Sequence, residues 1–448
     1  MMNWDYELLV IGAGPGGLAA AETAADYGVR VAIAEQEQVG GTCVVHGCIP
    51  EKLMTYAAGF SKVFERADEY GWGHVSKNFD WCQFMEARNR DIQHLCQMHI
   101  QKLEKAGVEL IKGHAKFLDA HTVDINGQEY KANKILIAVG RKAIKPEVPG
   151  IEYAITTRKF LELKHQPKHL AIIGSNYIAV KLAGMMNGLI SKVTLVISDD
   201  KVLPGCDHAL RTTVQDEMTR LGIRICTNSQ VEKIERVQDC LNLRLSDSNE
   251  PVEVETVVWI SDRVPNWDGL GLEKAGVEVK QGAIAVDEYS RTSQANIFAV
   301  GDCTARPRFT PVAIAAGRAF ADTEFGDHPR TVDYDYVPYV VSSQPEAATV
   351  GLTEAQAKAQ LGKAVRCYQK TFQSLLDMRA ESPEQTLLKL VVDDNSDRIV
   401  GAQMVGDCAS EIIQMIALAI NAGVTKADFN HTIGIHPSIG EEFFCLSP

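Results

Sequence analysis

Cys43 and Cys48 stand with four residues between them, in the run Gly40-Gly41-Thr42-Cys43-Val44-Val45-His46-Gly47-Cys48-Ile49-Pro50-Glu51-Lys52. A C-x-x-C pair would suit a thioredoxin-like redox centre or half of a zinc site. The wider C-x4-C spacing is wrong for most zinc knuckles, and no second Cys/His pair lies nearby to complete one. Pro50, two residues after Cys48, fits the first turn of a helix, where its missing N–H is harmless. That helix N-terminus would favour a thiolate at Cys48. The bland alternative is two buried free cysteines that happen to fall close. What precedes them favours a redox-active disulfide.

The preceding segment is a dinucleotide fingerprint. Tyr6 to Ile11 reads as a short apolar strand, followed at once by Gly12-Ala13-Gly14-Pro15-Gly16-Gly17. The G-x-G-x-x-G spacing opens an alanine-rich helix, Leu18 to Tyr27, and a second strand, Arg30 to Ala34, ends at Glu35. This is a complete βαβ unit with an acid about twenty residues on. Its glycines serve a tight turn, close backbone approach to a pyrophosphate, and close helix–strand packing. Glu35 would hold ribose hydroxyls. A redox disulfide beside such a unit makes FAD the expected ligand.

The segment G-G-T-C-V-x-x-G-C-I-P-x-K resembles the active-site stretch of the flavin disulfide reductases. Thr310 to Arg318 (TPVAIAAGR) and Lys426 to Glu442 are most similar to glutathione reductase, and the resemblance runs over essentially all 448 residues. It implies an α/β fold with two Rossmann-like dinucleotide-binding domains, FAD and NAD(P) type, plus a C-terminal α+β dimerisation domain. The expected boundaries are 1–147 and 266–333 for the two parts of the FAD domain, 148–265 for the NAD(P)-type domain and 334–448 for the interface domain. The resemblance further implies that Cys48 contacts the flavin and that Cys43 exchanges with the substrate disulfide. His436 would be the acid/base, reaching in from the other subunit of a homodimer and oriented by Glu441. Gly41, Thr42, Gly140, Asp302 and Thr310 would line the FAD.

Between these motifs the chain reads in order. Asp68 to Leu110 has helical periodicity and predicts one long antenna-like helical region. Ile111 to Tyr130 alternates and breaks at Asn126-Gly127, a hairpin signal. A second βαβ unit follows, with strand Leu170 to Ile173, turn Gly174-Ser175-Asn176, helix Tyr177 to Gly188 and strand Val193 to Ile197; Val257 to Ile260 closes the domain.

The second unit departs from its relatives at several contact points to one ligand. Its turn reads G-S-N where relatives read G-x-G, so Asn176 puts a side chain where backbone should approach pyrophosphate. The two arginines that NADPH-using relatives place for the 2′-phosphate fall at Ser198 and Pro204, with Asp199 and Asp200 between them to repel a phosphate. The acid of NAD-using relatives falls at Ile197. The closing A-T-G-R reads Ile260-Ser261-Asp262-Arg263, with a charge in place of glycine. Lys181 replaces a glutamate that pairs with the lysine of the cysteine segment, Lys52 here. The expectation is a reversed pair, Lys181 with Glu51. Together these changes predict that NAD(P)H binds poorly or not at all. The substrate pocket departs too: the arginine pair that grips a glutathione carboxylate is replaced by Glu22 and Thr23, which suggests a neutral or cationic substrate, with Arg318 retained as one anionic contact.

The formal net charge of −13 and pI near 5.5 argue against nucleic-acid or anionic-membrane binding. No apolar run reaches membrane-span length, and no metal site is expected. Eleven cysteines, otherwise scattered singly, suit a reducing compartment, with cytosol the expected location. The leading reading is an FAD-dependent disulfide oxidoreductase acting on a small or protein disulfide. Its donor would be something other than NAD(P)H: a redox protein such as ferredoxin, another flavin or a dithiol. An NAD(P)H-dependent reductase with altered nucleotide contacts and a non-catalytic redox sensor are the alternatives.

Overall fold

The computed structural model describes residues 4–73, 76, 78–380 and 383–447. The chain divides into two compact units, one of Met1–Glu51, Cys82–Lys145 and Ser261–Tyr334, the other of Lys52–Trp81, Pro146–Ile260 and Asp335–Pro448.

The first unit is built on a sheet with strand order Glu109–Lys112, Val31–Glu35, Tyr6–Ile11, Gln128–Ile137, Thr122–Ile125, Ala115–Phe117, with Ile297–Ala299 also paired to Gln128–Ile137. Tyr6–Ile11 runs parallel to both of its neighbours. Its strand is apolar at nearly every position because both faces are covered. Leu9 and Ile11 join one core cluster, Leu8 and Val10 the other. The helices Pro15–Asp26 and Thr310–Phe325 lie against each other with almost no side chain between them: a Cβ on Gly317 would sit 2.3 Å from the carbonyl oxygen of Gly16. The hairpin forms where the sequence predicts it. Asn126 and Gly127 both adopt positive φ, and Ile125 pairs with Gln128.

One expectation fails. Asp68 to Leu110 is not a single helical region. A helix running from Cys48 ends at Glu69, Gly71 follows with φ +84°, and a new helix spans Trp81–Lys105. Leu110 lies in the strand Glu109–Lys112, pulled from the helical register by pairing with Val31–Glu35. Glycine in the left-handed region stops a helix however regular the apolar spacing on either side.

The second unit holds sheets of four, three and five strands. Four parallel strands in the order Arg224–Cys226, Lys192–Val196, His169–Ile173, Thr256–Trp259 carry the helix Tyr177–Gly188. The last third of the chain makes a five-stranded antiparallel sheet covered by Ala409–Asn421. A buried charge cluster ties these parts together. Lys389, on strand Gln385–Asp393, donates to Asp207 at 2.8 and 3.0 Å and to Glu354 at 2.7 Å. Asp207 also caps helix His208–Arg220 by accepting from the Ala209 amide. Among the described residues no helix is long and apolar enough to cross a membrane.

Lys389 and Asp207 are both almost fully buried, so removing one strands the other charge. Lys389→Met should destabilise the second unit by about 3–5 kcal/mol, read as a lowered denaturant midpoint. A midpoint within error of the parent would show that the cluster contributes nothing.

Candidate active site

The cysteine segment is positioned by glycines. Gly40 and Gly41 have φ of +111° and +59°, and a Cβ on Gly41 would lie 2.7 Å from the Cα of Gly14. The cysteine turn is therefore pressed directly onto the dinucleotide turn. Cys43 rides on the short helix Gly41–Val45, and Cys48 opens the 22-residue helix Cys48–Glu69, with Pro50 in its first turn. The Cys48 Sγ lies 3.6 Å from the Thr310 hydroxyl. The Cys43 thiol is pushed up by its hydrogen bond with Cys48 and then by burial, while the Thr310 hydroxyl pulls it down. Two adjacent sulfurs cannot both ionise readily, so one proton stays on the pair when the other leaves. Thr310 can donate to whichever sulfur is the thiolate.

The residues fit FAD. A Cβ on Gly12 would meet the Ala138 carbonyl at 2.5 Å and one on Gly17 the Gly12 carbonyl at 2.0 Å, whereas the position over Gly14 is open. No side chain caps the helix Pro15–Asp26, so its N-terminal amides are free for a pyrophosphate. Glu35 accepts from the amides of Ala13 and Glu37 at 2.8 and 2.7 Å, which fixes its carboxylate at the strand end with lone pairs left for ribose hydroxyls. Gly140, with φ +64°, faces open space. Asp302 is raised by burial and held back by Arg263, Arg308 and Arg141. Arg141 also donates from its Nε to the Arg263 carbonyl at 2.8 Å, and from Nη1 to the Asp302 carbonyl at 3.5 Å. Sequence reasoning missed this arginine group. Its signal was the pair of A-V-G-R and S-D-R segments, whose strands Arg141–Ala143 and Arg263–Pro265 pair antiparallel.

In the second unit, the His436 Nδ1 lies 3.0 and 3.2 Å from the two Glu441 oxygens. Glu441 is lowered chiefly by the Ser438 amide, with His436 assisting. An ionised carboxylate on Nδ1 fixes the proton there, leaving Nε2 as the acceptor on a ring that is 81% exposed.

The second dinucleotide turn differs from the first in the way that matters most for a ligand. Gly174 keeps φ +137°, but the Asn176 side chain accepts from the amides of Ile178 and Ala179 at 3.0 and 3.2 Å. The helix N-terminus is thus capped from within the chain. The Ser175 hydroxyl donates to Asp199 at 2.6 Å, and the Leu203 amide donates to the Ser175 carbonyl at 2.7 Å, so the loop after strand Lys192–Val196 folds back onto this turn. Asp200 pairs with Arg211 at 3.3 Å. Ser198, Pro204 and Asp262 are exposed.

The remaining predicted residues are placed as follows. Lys52 ion-pairs with Glu346 at 3.8 Å and lies over the Tyr56 ring. Glu51 is buried in the first turn of its helix. The Lys181 ammonium lies 5.8 Å from the Tyr177 ring centroid. Glu22 is bridged by Lys102 at 2.5 Å, a partner the sequence did not suggest, and Arg318 is exposed.

Two family models cover the chain, "Pyridine nucleotide-disulphide oxidoreductase" over residues 6–317 and its dimerisation domain over 337–444. The chain belongs to the pyridine nucleotide-disulphide oxidoreductase family, which implies FAD as cofactor and, through the dimerisation domain, supports a homodimer. Within it, the chain is 50% identical to the glutathione reductase of Nostoc sp. over 99% of its own length and all of that protein. It is 42% identical to the Burkholderia cepacia glutathione reductase, over 100% of the chain and 99% of that protein. The HOCl-induced flavoprotein disulfide reductase RclA from Escherichia coli superposes with a TM-score of 0.88 at 28% identity, covering 98% of this chain and 99% of that one. The protein is a flavoprotein disulfide reductase of glutathione reductase type.

A hydrogen bond to a charged group is worth about 1.5–3 kcal/mol, or about one to two pKa units. Thr310→Val should therefore raise, by about one unit, the pH at which the two-electron-reduced protein develops its thiolate absorbance. An unchanged pH dependence would remove Thr310 from the thiol chemistry.

Proposed function

We propose that this protein reduces a glutathione-like disulfide through Cys43 and Cys48, as a homodimer, with electrons entering from a donor other than NAD(P)H. The names of its curated relatives support the substrate class. In this reading the Cys43 thiol gives its proton to Nε2 of His436 of the partner subunit, and the resulting thiolate attacks one substrate sulfur, breaking the substrate S–S bond and forming a mixed disulfide. The leaving thiolate takes the proton held by His436 of the partner subunit, for which Glu441 supplies the orienting charge. Cys48 then attacks the Cys43 sulfur, which expels the second thiolate and closes Cys43–Cys48. Gly12 to Gly17, Glu35 and Asp302 would hold FAD, which would supply two-electron reduction of this disulfide.

The observation that carries the donor assignment is the Asn176 cap. A nucleotide pyrophosphate would need the amides of Ile178 and Ala179 that this side chain already holds. Asp199 and Asp200 add negative charge on the loop where a 2′-phosphate would lie.

Replacing an Asn cap by glycine costs a helix only about a few tenths of a kcal/mol, so Asn176→Gly opens the turn without unfolding it. Calorimetric titration should find NADPH binding to the parent weaker than about 1 mM, and at least about ten-fold tighter in Asn176→Gly. Micromolar binding by the parent would sink the donor assignment and leave an NADPH-dependent reductase with altered contacts.

A further inference from the structure

Among the described residues, Glu441 is the only hydrogen-bond partner of the His436 ring, so whatever fixes Glu441 fixes the imidazole. Glu441 is itself gripped by its own segment. Its amide donates to the Ser438 hydroxyl at 3.2 Å, and its Oε1 accepts from the Ser438 amide at 3.0 Å. The two residues thus close a reciprocal ring, the S-x-x-E pattern that opens helices, here leading into the short helical turn Gly440–Phe443. Behind the side chain Gly434 leaves no gap: a Cβ there would lie 2.7 Å from the Glu441 Cβ. The turn is anchored by Phe443, which is buried in the core of the antiparallel sheet, and by an ion pair from Lys370 to Glu442.

This inference rests on the reading above of His436 and Glu441 as the acid/base pair of the thiol–disulfide exchange. We propose that Ser438 is a positioning residue for that exchange: its hydroxyl fixes the backbone of Glu441, so that the carboxylate stays on Nδ1 of His436 and Nε2 stays free to take up and return the proton.

The physical case is one of lost freedom. A glutamate side chain gives up several rotatable bonds when it is fixed, and water competes for its oxygens. Ser438 restrains both of its ends, with the hydroxyl at the amide and the amide at the carboxylate. Without the hydroxyl the Glu441 amide loses its acceptor and the turn can open. As the carboxylate leaves Nδ1, the imidazole rotates and exchanges tautomers, and fewer molecules present Nε2 to the sulfurs. Ser438 acts only through the imidazole, so its loss should slow the exchange without weakening disulfide binding.

The test uses the full flavin-loaded protein, reduced anaerobically with one equivalent of dithionite and mixed with glutathione disulfide in a stopped-flow instrument. Loss of the thiolate–flavin absorbance is followed against disulfide concentration. Ser438→Ala should lower the limiting rate constant about three- to ten-fold, the size of one hydrogen bond, with the half-saturating concentration unchanged. Ser438→Thr, which returns the hydroxyl, should stay within about two-fold of the parent. His436→Gln should cost about a hundred-fold or more. Adding Ser438→Ala to it should cost nothing further, because a residue that acts through the imidazole has nothing left to act on. A Ser438→Ala protein at the parent rate, or one losing the same factor with and without His436, overturns the proposal and leaves the acid/base reading standing. A His436→Gln protein at the parent rate removes the acid/base reading, and a reduced parent that glutathione disulfide does not reoxidise removes the substrate reading; either result takes this inference with it.

Discussion

The redox centre depends on one steric constraint, the contact between two glycine turns. Position 41 has no room for a Cβ because the Cα of Gly14 would lie 2.7 Å from it. That closeness puts a pair of sulfurs beside the N-terminus of an uncapped helix, where a phosphate-bearing cofactor fits. The long helix Thr310–Phe325 completes the arrangement: Gly317 lets it settle against the Gly16 carbonyl, and its first residue brings a hydroxyl to Cys48. A sheet covered on both faces carries these turns at its strand ends.

The same βαβ plan occurs twice in the chain, once with an uncapped helix and once with a helix capped by its own turn. Gly14 and Asn176 both cap their helices in extended conformation, with φ near −80° and ψ near 180°. Backbone geometry is preserved. What differs is that Asn176 supplies an oxygen to amides that a ligand would otherwise use, and the Ser175–Asp199 bond holds the next loop against the turn. The chain satisfies at this helix N-terminus amides that the first turn leaves uncapped.

Much of this was legible from residue order. Tyr6–Ile11 and Tyr177–Gly188 have the bounds their apolar runs and flanking turns predict, and the Asn126-Gly127 hairpin follows from its turn chemistry. The His436–Glu441 contact was expected from the family resemblance rather than from the residues alone, and the structure places Nδ1 3.0 Å from the carboxylate. The helical region near Asp68 was misread because periodicity persists on both sides of Gly71 while the backbone does not. Partnerships such as Glu22 with Lys102 and Arg141 with the Arg263 carbonyl were invisible, since 80 and 122 residues separate them and only packing brings them together.

The central claim is that the sulfur pair is intact while the usual pyridine nucleotide route to it is closed. The most direct measurement is an anaerobic titration of the flavin-loaded protein with NADPH, then NADH, then dithionite, following the visible spectrum. Dithionite alone should produce the long-wavelength band of a thiolate beside oxidised flavin, with neither nucleotide doing so at stoichiometric amounts. Rapid formation of that band on one equivalent of either nucleotide would contradict the account, because electrons would then be reaching Cys43 and Cys48 through the turn that Asn176 is held to close.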